Sequence, residues 1–194
     1  MIIIFCIIVN NNTVASAATT SHNDQYSTYY IKYDNDNLLD NATIISSESY
    51  SENNRKITTT VYKNIDGTLI TDTLNTPVKV TSIVAPLSSK GTDTATRTRT
   101  ISNWGSITIK ASFKWYTKGF FSYVKCTGMS VSRSLKPNVR VNKWEHSYTS
   151  DYVKIGKATA KVTYYFYNSK IPVQHQNGTF KITFSDSGTI SDNG

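Results

Sequence analysis

The chain has 194 residues, a formal net charge of +8 and two cysteines. This length suits one ordinary domain, alone or with a smaller segment, and two cysteines exclude a disulfide scaffold and a cysteine-based zinc cluster. Aromatic residues make up 12% of the chain, and 13 of them are tyrosines, which excludes disorder over the whole length.

The first residues predict a secretory signal peptide over residues 1–17. The apolar run Ile2–Val9 is too short to span a membrane but has the length of a signal core. Ala15 and Ala17 satisfy the small-residue rule for cleavage after Ala17, and Ser16 and Ala18 allow cleavage after Ala18. No Lys or Arg precedes the run, so we expect a start codon upstream and a signal truncated at its start. With no later long apolar run, the mature chain is expected to be secreted without a transmembrane segment.

Charge is divided unevenly along the chain. Residues 1–96 carry six Lys or Arg and nine Asp or Glu, a net charge of −3. Residues 97–194 carry 15 Lys or Arg and four Asp or Glu, a net charge of +11. We therefore predict a basic domain over residues 97–194, preceded by an acidic N-terminal segment.

The acidic segment divides into two parts. Residues 18–56 are polar, acidic and without clear periodicity, which predicts a loosely ordered leader. Residues 57–96 predict short strands and a linker: Ile57–Tyr62 is rich in β-branched residues, and Asp66-Gly67 between apolar runs is a hairpin signal. A further strand is predicted over Val78–Val84, and a linker around 86–92.

The C-terminal half shows the period-two alternation of half-buried antiparallel strands. Apolar and polar residues alternate over residues 107–115, 158–166 and 180–184, and Val139–Trp144 is another strand candidate. Asn177-Gly178 predicts a two-residue hairpin turn. The predicted fold is all-β: an antiparallel β-sandwich or flattened barrel in the C-terminal half, preceded by a partly disordered N-terminal segment with a few strands.

The predicted outward positions carry a set of lysines. If their strands share one sheet, they form a basic face that attracts an anionic wall polymer or an acidic lipid surface, and two aromatic side chains could add stacking platforms. The candidate binding residues are Lys110, Lys114, Lys157, Lys161, Lys181, Tyr165 and Trp144. Lysine on exposed strands also serves as protection against edge-to-edge aggregation, so each single lysine has an ordinary structural explanation.

The sequence predicts no metal site, no cofactor, no catalytic residue and no specific nucleic-acid motif. The metal-binding spacings and the phosphate-binding glycine loop are missing from it. Cys126-Thr-Gly128-Met129 resembles the Cys-Ser-Gly-apolar motif of cysteine wall-peptide hydrolases, and His175 follows 49 residues later. That family begins a helix at its cysteine, whereas Met129–Val141 has no helical period. We therefore expect Cys126 to be a small buried strand residue.

The C-terminal half as a whole is similar to small secreted all-β proteins of Gram-positive bacteria. The resemblance rests on Trp104-Gly105, Lys114-Trp115-Tyr116, Lys157–Phe166 and Asn177–Ile182, and it transfers no site. The main hypothesis is a secreted, non-enzymatic β-domain that binds an anionic envelope surface. The alternative is a secreted antimicrobial protein or toxin, bacteriocin-like, in which the acidic N-terminal half masks a cationic, membrane-active domain.

Overall fold

The computed structural model describes residues 38–39, 41–78, 90–118, 121–171, 174–185 and 190–191. These residues form an all-β, antiparallel structure without a helix, as the alternation predicts. The predicted signal peptide and most of the predicted leader lie outside the described residues. The strands in chain order are β1 Thr43–Glu52, β2 Arg55–Lys63, β3 Leu69–Pro77, β4 Lys90–Ile101, β5 Gly105–Lys118, β6 Phe121–Leu135, β7 Val139–Tyr148, β8 Val153–Lys154, β9 Lys157–Asn168, β10 His175–Ser185 and β11 Ile190–Ser191.

The strands form two sheets that pack against each other. One has seven strands in the order β1-β2-β3-β4-β5-β6-β8, and the other has four in the order β11-β10-β9-β7. The first six strands are therefore successive antiparallel neighbours. Between the sheets, the rings of Phe113 and Phe184 stack with centroids 5.5 Å apart. Both rings are fully buried, so a single core joins the two sheets.

Side-chain alternation decides which face of each strand enters this core. In β5 the buried residues are Ile107, Ile109, Ala111 and Phe113, and in β9 they run from Ala158 to Phe166 at every second position. Their sequence neighbours, mostly Thr and Lys, point away from the core. Burying a large aliphatic or aromatic side chain contributes roughly 1.5–3 kcal/mol. A slip of one residue in the pairing would move all these side chains to the solvent face, so their burial determines the register of β5 and β9.

Two of the hairpins follow the turn chemistry of the sequence. The predicted Asp66-Gly67 hairpin is confirmed: it joins β2 to β3, and Gly67 has a φ of 82°. Asn53 and Asn54, with φ of 50° and 59°, form a two-residue turn between β1 and β2. Asparagine tolerates this left-handed conformation better than most residues, which suits the pair to a primed hairpin turn.

The predicted turn at Asn177-Gly178 is wrong. Both residues lie inside β10, opposite Tyr165 and Tyr164 of β9. The chain instead reverses between Asn168 and His175. The β9–β10 register sets Phe180, Ile182 and Phe184 opposite Val162, Ala160 and Ala158, and it continues without a shift through Asn177 and Gly178. Core packing along the whole strand pair therefore outweighs a local turn preference.

The predicted division of the chain does not follow the strands. The boundary between residues 96 and 97 falls inside β4, and β1 lies within the segment 18–56 that was predicted to be a loosely ordered leader. β4 also begins at Lys90, inside the predicted linker. Of the predicted strand Val78–Val84, only Val78 is described. Because β3 pairs with β4, residues on both sides of position 97 belong to one sheet.

A buried charge cluster ties these two parts together. Asp72 of β3 lies opposite Arg99 of β4, and its carboxylate accepts hydrogen bonds from Arg99 Nε at 2.8 Å and from Arg97 Nη2 at 2.6 Å. Arg97 also donates to the backbone carbonyl of Lys181 in the other sheet, at 2.8 Å. Both guanidinium groups lie over the Phe180 ring, 4.5 and 4.9 Å from its centroid. The cluster therefore links β3, β4 and β10.

The charge cluster predicts a loss of stability in acid. Burial alone would raise the pKa of Asp72, but the adjacent Arg99 and Arg97 guanidinium groups outweigh burial and lower the pKa to about 2 from its usual 3.8. The ionised carboxylate therefore stabilises the fold fully above pH 3.8, and this contribution disappears as the pH falls through about 2. A shift of this size corresponds to about 2 kcal/mol. Urea unfolding midpoints measured at a series of pH values test it, and midpoints constant from about pH 5 to about pH 2 contradict it.

Candidate functional site

The predicted lysines do not share one face. Lys157, Lys161 and Lys181 lie in the four-stranded sheet, whereas Lys110 and Lys114 lie in the seven-stranded sheet. Phe113 and Phe184 meet between the sheets, so the side chains that alternate with them point away on opposite sides. Lys114 and Lys181 are therefore on opposite outer faces of the sandwich, and the expectation of a single basic face is corrected.

Trp144 does not join the outward aromatic residues. It lies opposite the buried Tyr164, stacks on Phe166 with ring centroids 6.1 Å apart, and carries the Arg133 guanidinium 4.6 Å above its ring. A register shift between Val141 and Lys143 changes the alternation before Trp144 and turns its side chain toward the core. The predicted role of Trp144 as a surface platform is therefore wrong.

The outer face of the four-stranded sheet holds a groove that two lysines help to line. Lys161 of β9 and Lys181 of β10 are directly opposite one another in the antiparallel register. The groove has a volume of about 510 Å³. We call it the lysine groove; it is lined by Ser147, Tyr148, Thr149, Thr159, Lys161, Thr179 and Lys181.

The other lining residues contribute hydroxyl groups and no carboxylate. Thr149 Oγ1 accepts a hydrogen bond from the backbone N–H of Thr159 at 3.1 Å, and the backbone N–H of Thr149 donates to the Thr159 carbonyl at 2.9 Å. These two hydrogen bonds hold Thr149, at one side of the groove, against β9. The Thr179 hydroxyl is 3.2 Å from that of Thr163 on the neighbouring strand. The groove thus offers two ammonium groups and fixed hydroxyls, a set suited to phosphate or carboxylate oxygens.

The two lysines face each other at an electrostatic cost. Like charges directly opposite on adjacent strands destabilise a sheet. Partial burial lowers the pKa of Lys181, because removal from water disfavours the charged ammonium. An anion bound between Lys161 and Lys181 would offset both effects.

Tyr165 shares the outer face of this sheet but not the groove. Its ring stacks on the His175 imidazole of β10 with centroids 5.5 Å apart and planes 9° apart. One side of the tyrosine ring is therefore covered. On β7, Lys143 pairs with Glu145 at 3.1 Å, and both side chains are exposed, so this pair adds little to stability.

A second cluster of lysines and aromatic rings lies at the other sheet's edge, where the hairpin of β5 and β6 meets β8. Lys114 is opposite Lys125, and Tyr116 is opposite Tyr123 with their rings stacked 4.7 Å apart. The Tyr152 ring meets Tyr116 edge-on at 5.0 Å. Of these residues, sequence analysis had singled out only Lys114 as a binding candidate. Cross-strand counting back from the pair Lys118–Phe121 leads to both pairs, but the sequence does not mark this pair, and β8 has only two residues and no recognisable pattern.

Cys126 has the environment of a structural thiol. It lies in β6 with 1% of its surface exposed, and its Sγ is 3.4 Å from the Gly128 carbonyl, to which it donates. Burial raises its pKa, whereas a nucleophilic cysteine needs a lowered one. His175 lies on the outward side of β10 against Tyr165, while Cys126 faces the core, so the two residues of the hydrolase-like spacing are not brought together.

Comparison of the chain with protein-family models, curated proteins and solved structures finds no match. Within the described ranges, no group of three or more His, Cys, Asp or Glu could hold a metal ion. That same part of the chain has no helix long and apolar enough to cross a membrane.

Proposed function

We propose that the protein is a secreted, non-enzymatic binding module that holds an anionic polymer of the cell envelope in the lysine groove. The observation that carries the proposal is the direct cross-strand pair Lys161–Lys181 in a groove otherwise lined by hydroxyl groups and a tyrosine. The two lysines extend from neighbouring strands, whose backbones are roughly 4.8 Å apart, so their ammonium groups can bind the same anionic group or two neighbouring ones.

A polymeric ligand suits the charge distribution better than a small anion. Residues 97–194 carry a net charge of +11, far more than one bound phosphate or carboxylate neutralises. A field of this sign attracts a polyanion from a distance and raises its association rate. The groove then supplies the short-range contacts, with Lys161 and Lys181 as charged donors and Thr159 and Ser147 as neutral hydroxyl partners.

The double variant Lys161→Gln/Lys181→Gln is expected to bind linear polyphosphate about tenfold more weakly than the unchanged protein. Each lost phosphate contact reduces the slope of log affinity against log salt by about 1, so the slope should fall by up to about 2. Glutamine is polar and only one atom shorter than lysine, and it removes the repulsion between the two lysines, so the variant should fold. Affinities are measured by titration at several salt concentrations.

The matched control is Lys63→Gln/Lys110→Gln, which removes two exposed lysines of the seven-stranded sheet. It should leave the affinity within about twofold and the salt slope reduced by less than 1. Equal losses in both double variants would show non-specific attraction to net charge and would overturn the groove as the site. Polyglutamate and neutral dextran, titrated in parallel, separate carboxylate from phosphate preference and from simple polysaccharide binding.

The antimicrobial alternative requires the acidic N-terminal half to be separable from the basic half. The pairing of β3 with β4 and the contacts of Asp72 with Arg97 and Arg99 argue against this. Removal of β3 would leave two buried guanidinium groups without that carboxylate, which costs several kcal/mol. The binding module is therefore the better supported proposal.

A further inference from the structure

A group of exposed apolar side chains lies beside lysines at the edge of the seven-stranded sheet. Phe121 at the start of β6 is 42% exposed, Tyr152 is 38% exposed and Ile155 is 59% exposed. The backbone N–H of Ile155 donates to the Ser122 carbonyl at 2.9 Å, which holds the turn after β8 against the start of β6. We call these three residues the apolar edge.

Lysines lie directly against these rings. Lys154 Nζ is 3.6 Å from the centroid of the Phe121 ring, and Lys125 Nζ is 4.5 Å from that of Tyr152. Lys118 is opposite Phe121 in the strand register. Cationic side chains around aromatic and aliphatic groups match the boundary of an anionic bilayer, where lipid phosphates lie above the acyl chains.

The backbone at Ile155 gives an independent reason to assign a function to this edge. Ile155 has a φ of 48°, a left-handed conformation that is a genuine outlier for a β-branched residue. Glycine or asparagine would adopt it at lower cost. An isoleucine that is both strained and mostly exposed contributes little to folding, and such strain concentrates at functional positions.

We propose that the apolar edge is a docking surface for an anionic phospholipid bilayer. Ile155 and Phe121 enter the boundary between the headgroups and the acyl chains, Tyr152 lies at the headgroup level, and Lys118, Lys125 and Lys154 contact the phosphates. The surface is separate from the lysine groove, so the proposal does not depend on the polymer ligand. A protein with both sites would hold a wall polymer close to the membrane.

The test uses the full chain and vesicles made of equal parts phosphatidylglycerol and phosphatidylcholine. Ile155→Asn is expected to lower the partition coefficient about tenfold, as removal of one well-buried aliphatic contact does. Because asparagine relieves the backbone strain, the variant should unfold at an equal or higher urea concentration than the unchanged protein. Phe121→Thr, which keeps a residue suited to a strand, is expected to give a similar loss. Vesicles of phosphatidylcholine alone should bind the unchanged protein weakly.

The matched control is Ile65→Asn, the same substitution at an isoleucine that is 83% exposed in the β2–β3 turn. It should leave the partition coefficient within about twofold.

Lys161→Gln/Lys181→Gln should weaken polyphosphate binding and leave vesicle binding largely intact, so failure of either proposal is recognised separately. No partition to anionic vesicles, or equal partition of Ile155→Asn and the unchanged protein, would overturn the bilayer proposal. Concentration-dependent dimers abolished by Ile155→Asn would identify a protein interface and also overturn it.

Discussion

Asp72→Ala is expected to destabilise the protein by about 3–5 kcal/mol, the usual cost of removing one partner of a buried ion pair. Asp72 is 4% exposed, and its two partners, Arg97 and Arg99, are 5% and 1% exposed. Without the carboxylate, both buried guanidinium groups would lose their ion pair with Asp72, and the Phe180 ring and the Lys181 carbonyl beside them carry no charge to replace it. Since small domains are stable by only about 5–15 kcal/mol, this variant should be partly unfolded at moderate temperature.

The control is Glu48→Ala, which removes an exposed carboxylate from β1 of the same sheet. Surface substitutions of this kind change stability by less than about 0.5 kcal/mol. Urea unfolding followed by tyrosine and tryptophan fluorescence measures both variants. The triple variant Asp72→Leu/Arg97→Met/Arg99→Met should recover much of the loss, because it replaces the charges by apolar groups that need no partners. A triple variant less stable than Asp72→Ala would contradict this account.

The charge cluster also changes the meaning of the uneven charge distribution. Part of the negative charge of residues 1–96 resides on Asp72, and part of the positive charge of residues 97–194 resides on Arg97 and Arg99. Inside the fold the single carboxylate of Asp72 offsets one of the two guanidinium charges. The two proposed ligand surfaces use side chains outside this ion pair: Lys161 and Lys181 in the lysine groove, and Lys118, Lys125 and Lys154 beside the apolar edge.

The fold class could be predicted because alternation depends only on local geometry. In β5 and β9, apolar residues occupy every second position, and a strand places such residues on one face whatever its neighbours are. In β4, Arg97 and Arg99 alternate with threonines and occupy the inward positions. A prediction from side-chain polarity alone would place the arginines toward solvent. The carboxylate of Asp72 on the neighbouring strand β3 accounts for their burial, and alternation within β4 does not show which strand lies beside it.

The candidate site could be predicted only in part, for a similar reason. Alternation predicted that Lys110, Lys114, Lys157, Lys161 and Lys181 point outward, but it contains no information about which strands share a sheet. The strand order sets Lys161 beside Lys181 and sends Lys114 to the other outer face. For Trp144, a single register shift in β7 reversed the expected side, and bulges of this kind leave no dependable signal in one sequence.

Gly105→Ala is expected to cost about 3 kcal/mol or more, because it combines two penalties. Gly105 has a φ of 137°, which a residue with a side chain adopts at a cost of roughly 1–3 kcal/mol. A Cβ at this position would also overlap the backbone carbonyl oxygen of Ser134 on β6, which cannot move without disturbing the pairing of β5 with β6. Gly105 begins β5 opposite Ile101 of β4, so the substitution would also disturb the pairing of β4 with β5 inside the seven-stranded sheet.

Three other glycines separate these penalties. Gly67 has a φ of 82° with open space around it, so Gly67→Ala should cost about 1–2 kcal/mol from backbone strain alone. A Cβ on Gly91 would lie 2.8 Å from the Trp115 ring, so Gly91→Ala should cost about 1–3 kcal/mol from crowding alone. At Gly128 neither penalty applies, and Gly128→Ala should be neutral or slightly stabilising. Urea unfolding midpoints of the four variants test this ranking. A Gly105→Ala midpoint no lower than that of Gly67→Ala would contradict it and would show that the β6 backbone at Ser134 moves to make room for the Cβ.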